Sequence, residues 1–184
     1  MLIFKGGKVI MNVIVAVDKN WAIGKDNDLF ISIPEDMKHF KDKTLHNIVV
    51  MGQNTLDSLP NGKPLPKRTN VVLTEKTDLG NDIVVCNSVS EVLDYVKNGI
   101  LNHQFIADDV FVIGGESIYR QLLPYCRYAY ITRIEKEFDA DRYFPENLEK
   151  SEQWERISSV KHYSEEFKVE YYFEEYKRVH KDRI

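Results

Sequence analysis

The sequence predicts an α/β protein: a predominantly parallel eight-stranded sheet, helices on both its faces, and an antiparallel C-terminal hairpin. Three observations predict it. Up to residue 134, apolar runs of strand length alternate with helical segments, the pattern of strands buried on both faces and joined by crossover helices. Two of those runs pass through glycine straight into a helix, at Met51-Gly52-Gln53 and Ile113-Gly114-Gly115-Glu116. The last stretch instead alternates apolar and polar residues over 154–160 and 168–176, as half-exposed antiparallel strands do. A chain of 184 residues is long enough to bury a core of its own. We expect one domain over 11–184.

Residues 1–10 are expected to be an extraneous leader, with Met11 the natural start: the segment makes a poor signal peptide, and Met11 stands directly before a clean strand, 12–18. A Gly/Asn/Asp-rich loop, 19–28, carries Trp21 and Ile23. A helix is expected over 33–43, started by a Ser32/Glu35 capping box with Pro34 in its first turn. At helical spacing Asp36 shares a face with Ile33, Met37 and Phe40, the face that should turn inward, opposite Lys38 and Lys41. Strand 47–52 leads into a short helix, 53–59. The proline-punctuated stretch 60–68 is expected to hold no regular structure. Strands 69–74 and 82–86 follow, then a helix capped by Ser88 and Glu91 with Val92, Leu93 and Val96 inward. Strand 109–113, a helix from Glu116 that stops at Pro124, and strand 127–134 complete the alternation.

Composition narrows the function classes. A formal charge of −4 gives no electrostatic reason for a nucleic-acid or anionic-membrane partner. No apolar run is long enough to span a bilayer. Cys86 and Cys126 form no Cys-x-x-Cys pair, which suits a reducing cytoplasm. The five histidines make no His-x-x-x-His or Cys/His cluster, so no metal site is expected.

Several positions admit two readings from the residues alone. Asp36 is either a solvated acid complementing the helix dipole or a carboxylate driven into an apolar interior. The two glycine junctions are either tight turns or cradles for a dinucleotide phosphate. Arg68, on a rigid prolyl frame, is either a solvated loop residue or a carboxylate clamp. Thr132 is either a strand former or a hydroxyl facing a buried acid. Phe40 and Tyr119 read as core, and Trp21 as a packing anchor.

Taken together, seven motifs in register resemble the dihydrofolate reductase family from Met11 to about Lys177. They are Val15-Ala16-Val17-Asp18 with 22–29; Ile33-Pro34-Glu35-Asp36-Met37-Lys38-His39-Phe40-Lys41; Val49-Val50-Met51-Gly52-x-x-Thr55; Pro64-Leu65-Pro66-x-Arg68-x-Asn70; Val112-Ile113-Gly114-Gly115-x-x-x-Tyr119; Tyr130-Ile131-Thr132; and Asp141-x-x-Phe144-Pro145. The resemblance implies NADPH-dependent reduction of 7,8-dihydrofolate to tetrahydrofolate by a cytoplasmic monomer that is also a target of antifolate inhibitors. It implies that Asp36 grips the pterin, that Thr132 buttresses it, and that Leu29 belongs to the catalytic set. Ile14 and Ile113 would offer backbone carbonyls to the pterin. Met37, Phe40, Leu59 and Leu65 would form an apolar sleeve, and Arg68 would clamp the glutamate carboxylate. For the cofactor it implies Ala16 and Ile23 at the nicotinamide, with Gly52, Asn54, Thr55, Ser58, Thr74, Gly114, Gly115 and Tyr119 along the remainder. Gly114-Gly115 would be a cis peptide, and 20–31 a lid over the nicotinamide.

Three positions depart from the family pattern. Ile31 stands where tryptophan is usual, Gln53 replaces an arginine, and Glu75 follows Thr74 where a basic or hydroxylic contact to a 2′-phosphate is common. Two other readings compete. A reductase of the same fold acting on a pyrimidine of flavin biosynthesis is disfavoured by Ile33-Pro34-Glu35-Asp36, Phe40 and Arg68. A folate- or nucleotide-binding protein without turnover would bind NADPH and dihydrofolate without oxidising the former.

Overall fold

The computed structural model describes residues 11–26 and 31–179; the expected leader and Leu29 lie outside them. In chain order the elements are β1 (Met11–Val17), β2 (Ala22–Gly24), α1 (Pro34–Thr44), β3 (Ile48–Gly52), α2 (Gln53–Ser58), β4 (Thr69–Leu73) and β5 (Ile83–Cys86). These are followed by α3 (Val89–Leu101), β6 (Val110–Gly114), α4 (Glu116–Leu122), β7 (Cys126–Ile134), β8 (Arg142–Tyr143), β9 (Trp154–Ser164) and β10 (Val169–Arg178). Eight strands form one sheet in the order β5-β4-β3-β6-β1-β7-β10-β9. The β5, β4, β3, β6 and β1 neighbours are parallel, and β10 runs antiparallel to both β7 and β9. The α/β class with its C-terminal hairpin is therefore as the sequence predicts. Among the described residues no helix is long and apolar enough to cross a membrane.

The described residues gather into two compact units, the first comprising those up to Val13 and in Thr44–Cys126, the second those in Ile14–Lys43 and from Arg127 onward. In the first, every residue of β3 is buried, because a central parallel strand is covered on both faces. Val49, Met51, Leu56 and Val72 form its core, with Leu59, Leu65, Ile83 and Ile113 packed against them; each fully buried side chain of this size contributes about 1.5–3 kcal/mol. α3 starts where the sequence places it: the Ser88 hydroxyl accepts the Glu91 N–H at 3.2 Å, and the Glu91 carboxylate accepts the Asn87 N–H at 2.8 Å. Val92 and Val96 are buried along its inner face. One expectation is corrected. The prolyl stretch is not wholly irregular, since Pro60–Gly62 make a 3-10 turn closed by Gly62 N–H donating to the Leu59 carbonyl at 2.8 Å. Proline fixes the φ that such a turn needs.

In the second unit Ile33, Ile134, Val169 and Tyr171 form the core, with Ala16, Ile31 and Phe173 packed against it. α1 is pinned there by the His39 ring, stacked on Phe173 at 4.2 Å between centroids. Its start differs from expectation. The Ile33 carbonyl accepts the Met37 N–H at 3.0 Å, so Ile33 is the N-cap, Pro34 is the first helical residue, and Ser32 lies one position too early to cap. Proline at the first helical position sets that start. Met37, assigned to the inward face, is 47% exposed. Part of the expected loop 19–28 is the strand β2, paired with β8 through Ala22–Tyr143 and Gly24–Arg142. Trp21 anchors it against Phe144 and Tyr176 at ring-centroid distances of 6.0 and 6.4 Å. The partner lies some 120 residues away, and so no local pattern marks the strand. β10 carries a further surprise: buried Glu174 accepts from the Tyr176 hydroxyl at 2.8 Å and from Arg156 at 3.1 Å. Paired in this way, a carboxylate can sit inside a sheet face.

Candidate functional site

In the second unit the chemistry centres on one acid. Asp36 lies in the first turn of α1, and the Thr132 hydroxyl on β7 donates to its Oδ1 at 2.5 Å. Thr132 is 3% exposed, held opposite Phe173 by the β7–β10 register. Removal from water pushes the Asp36 pKa above the ordinary carboxylate range, and the Thr132 hydrogen bond partly opposes that rise by favouring the charged form. Asp36 nevertheless keeps part of its surface exposed. The two readings of Asp36 and Thr132 thus resolve together: the pair is an enclosed carboxylate supported by a hydroxyl.

The loop leading from β1 is organised by an acid that sequence reasoning placed in a motif without giving it a role. Asp18, fully buried, accepts the N–H groups of Asn20, Ala22 and Phe138 at 2.7, 2.9 and 3.0 Å. It thereby fixes the stretch that presents half-buried Ile23. The signal was available in principle: an acid directly after an apolar strand has no water to solvate it and must find donors locally.

In the first unit two strand–helix junctions lie side by side, with Met51 and Gly114 in register. Gly114-Gly115 is a cis peptide, and Gly114 has φ +121°. A Cβ on Gly114 would stand 3.2 Å from the Tyr119 ring, one on Gly115 would stand 3.4 Å from the Thr55 hydroxyl, and one on Gly52 would stand 2.8 Å from Ile118. Glycine at Gly52 and Gly114 is what lets the two turns close on Ile118 and Tyr119, while a Cβ on Gly115 would make an ordinary contact with Thr55. Tyr119 is buried, and burial pushes its phenol pKa upward. Beside them, the Thr74 hydroxyl donates to the Gln53 carboxamide oxygen at 2.9 Å, Gln53 Nε2 donates to Asp57 at 2.8 Å, and Ser58 donates to the Thr55 carbonyl at 2.8 Å. Asn54 is exposed.

Leu59, Leu65 and Ile113 share the cluster built on Met51. Arg68 is fixed by its Nε donating to the Thr44 hydroxyl at 2.9 Å and its Nη1 donating to the Pro66 carbonyl at 2.8 Å. Asn70, buried on β4, holds the same loop through a two-way pairing with the Leu65 backbone, both bonds at 2.9 Å. This positioning role was also missed, and a polar residue within a buried strand was its signal. Ile14 is buried in β1, while Ala16 and Phe40 are half-buried. Among the described residues no three His, Cys, Asp or Glu side chains gather as a metal set.

These features meet a family defined elsewhere. A family model described as dihydrofolate reductase matches residues 10–178. Dihydrofolate reductase of Bacillus subtilis is 38% identical over 151 residues, covering 82% of this chain and 83% of that protein. Dihydrofolate reductase of Staphylococcus haemolyticus is 32% identical over 171 residues, covering 92% and 96%. A solved structure of dihydrofolate reductase from Enterococcus faecalis, complexed with NADP(H) and RAB-propyl, superposes with a TM-score of 0.79 at 32% identity, covering 94% of this chain and 98% of that one. With the enclosed acid, the paired glycine turns and these matches along nearly its whole length, the chain belongs to the dihydrofolate reductase family.

Proposed function

We propose that this protein reduces 7,8-dihydrofolate to tetrahydrofolate with NADPH, and that Asp36 is the residue on which the reaction turns. The observation that carries the proposal is the Thr132–Asp36 hydrogen bond at 2.5 Å around a partly enclosed carboxylate. A carboxylate offers two acceptors side by side, matching the N3–H and 2-amino group of a pterin, and both bonds strengthen where water is sparse. Its negative charge raises the proton affinity of the bound ring. Asp36 is too distant in the pterin frame to reach N5, so the proton arrives there from a water. The same acceptor pair suits the diamino edge of an antifolate.

The first unit fits a nicotinamide dinucleotide on one observation: two glycine turns, at Gly52 and Gly114-Gly115, end neighbouring parallel strands with Met51 and Gly114 in register, each leading into a helix. Gly52, Thr55, Gly114 and Gly115 would hold the phosphates, Asn54, Ser58 and Thr74 would line the approach, and Ala16 and Ile23 would meet the nicotinamide. When bound, that ring supplies the hydride. The chain's own contribution is orientation and exclusion of water. Arg68, pre-oriented by Thr44 and Pro66, would take the substrate's glutamate carboxylate. Ile14 and Ile113 would offer backbone carbonyls to the pterin, and Met37, Phe40, Leu59 and Leu65 apolar surface to its rings. The formal charge of −4 supports a protein acting on small molecules, without nucleic-acid or membrane partners. We place it as a cytoplasmic monomer.

The test is steady-state loss of NADPH absorbance in the presence of dihydrofolate, for the wild type and for Asp36→Asn. Turnover by the wild type, lost in the variant while NADPH still binds, is expected. Equal turnover in the two proteins would remove Asp36 from the mechanism, and binding without turnover in the wild type would identify a binding protein.

A further inference from the structure

In open parallel sheets a dinucleotide lies outside the carboxyl ends of the strands. In βαβ units with a glycine-rich fingerprint, the residues just past the strand next to the glycine turn, about twenty positions on, meet the adenosine ribose. An acid there pairs with a free 2′-hydroxyl, whereas a base pairs with a 2′-phosphate. In this chain Gly52 ends β3 and lies in register with Leu73 of β4, so the residues in question are Thr74-Glu75-Lys76.

Hydrogen bonds tie three segments together at this corner. Thr74 donates to Gln53, and Gln53 donates to Asp57. The Lys76 N–H donates to the Thr74 hydroxyl at 3.2 Å. Asn87 donates to the carbonyls of Thr74 and Lys76 at 2.8 and 3.0 Å, and its own N–H is taken by Glu91. Within 53–57, 74–78 and 87–91 the charged residues are Asp57, Glu75, Asp78 and Glu91 against a single cation, Lys76. A phosphate monoester carries between one and two negative charges at neutral pH and is ordinarily held by guanidinium or ammonium groups. This corner offers it one ammonium among four carboxylates, with neutral amides beside them.

We infer that this protein reads the adenosine ribose through its hydroxyls, with Glu75 as the specificity-determining residue and Gln53 and Thr74 as neutral partners, and that it accepts NADH nearly as well as NADPH. The inference rests on the reductase reading above and deepens it: the 2′-phosphate is tolerated here rather than gripped.

Calorimetric titration of the intact protein with NADPH and with NADH, each at low and high salt, tests it. The expected result is a pair of Kd values within about tenfold of each other, in a ratio that changes little with salt. Glu75→Arg, at an exposed position, should tighten NADPH by about tenfold, the worth of one charge-assisted hydrogen bond, and weaken NADH. NADPH bound more than about a hundredfold tighter than NADH, with an advantage that collapses in salt, would overturn the inference. So would a tenfold loss of NADPH affinity alone in Lys76→Ala, which would mark a phosphate held by that ammonium. An unchanged ratio in Glu75→Arg would overturn the assignment to Glu75. If neither nucleotide bound the folded protein, the reductase reading would fall first and this inference with it.

Discussion

On the proposed function, the two units would bind a small polar molecule by opposite means. In the second, specificity would rest on side chains: one carboxylate, Asp36, supported by one hydroxyl, Thr132, at 2.5 Å. In the first, the proposed site is formed by glycine turns, at Gly52, Gly114 and Gly115, where a Cβ on Gly52 or Gly114 would collide with or crowd Ile118 or Tyr119. A side-chain site can lose its chemistry and keep its fold where an isosteric amide, as in Asp36→Asn, fills the same space. A backbone site cannot, since the atoms that would meet the ligand also close the turn.

Breaking the side-chain half should have the largest effect on turnover. Asp36→Asn is expected to lower kcat/KM for dihydrofolate by about a hundredfold or more, with the NADPH Kd from calorimetry nearly unchanged. Breaking the backbone half should tell on stability as well. Gly114→Ala places a Cβ at φ +121° and 3.2 Å from the Tyr119 ring. It should cost about 2 kcal/mol, lowering Tm by roughly 4–8 °C, and should weaken NADPH binding in parallel. A Gly114→Ala protein with full stability and weakened binding would dissolve the contrast.

Thr132→Val isolates the hydroxyl. It removes a hydrogen bond to an ionised group and should lower turnover by about tenfold. It should also move the Asp36 titration, followed by carboxyl carbon NMR, further upward, because the group that favours the charged form is gone.

The smallest effect is a stability change whose sign follows from burial. Asp36 has a folded-state pKa above its ordinary 3.8, so the folded protein holds that proton more tightly than the unfolded chain does. Its contribution to stability is therefore greatest at low pH and declines as pH rises from 3.8 through the raised value. Asp36→Asn escapes that decline. Its Tm at neutral pH should equal or slightly exceed the wild type's, with the difference vanishing as the pH falls toward 3.8. A lower Tm at neutral pH would mean that the ionised carboxylate stabilises the fold.

Legibility in the sequence followed the range of the interaction. β3, β6 and α3 were readable because their signals are local: unbroken apolar runs, and Ser88 three residues before Glu91. The start of α1 was misread by one position because Ser32 and Pro34 offer competing starts, and proline's fixed φ prevailed. β2 was not readable at all, since three residues become a strand only by meeting Arg142 and Tyr143. The sequence signalled that Asp18 and Asn70, polar residues at buried strands, need partners, but not which ones: the N–H and carbonyl groups that they meet are set by the fold.

By itself the sequence determined the α/β class, the predominantly parallel character of the sheet and the family, because periodicity, glycine placement and motif spacing are properties of the chain before it folds. Only the tertiary structure decided that the Thr132 hydroxyl reaches the Asp36 carboxylate across 96 positions, and that Thr74, Gln53 and Asn87 knot three segments into one corner. Hydrogen bonds have a reach of about 3 Å. Which residues fall within it is fixed by the register of strands and the packing of helices.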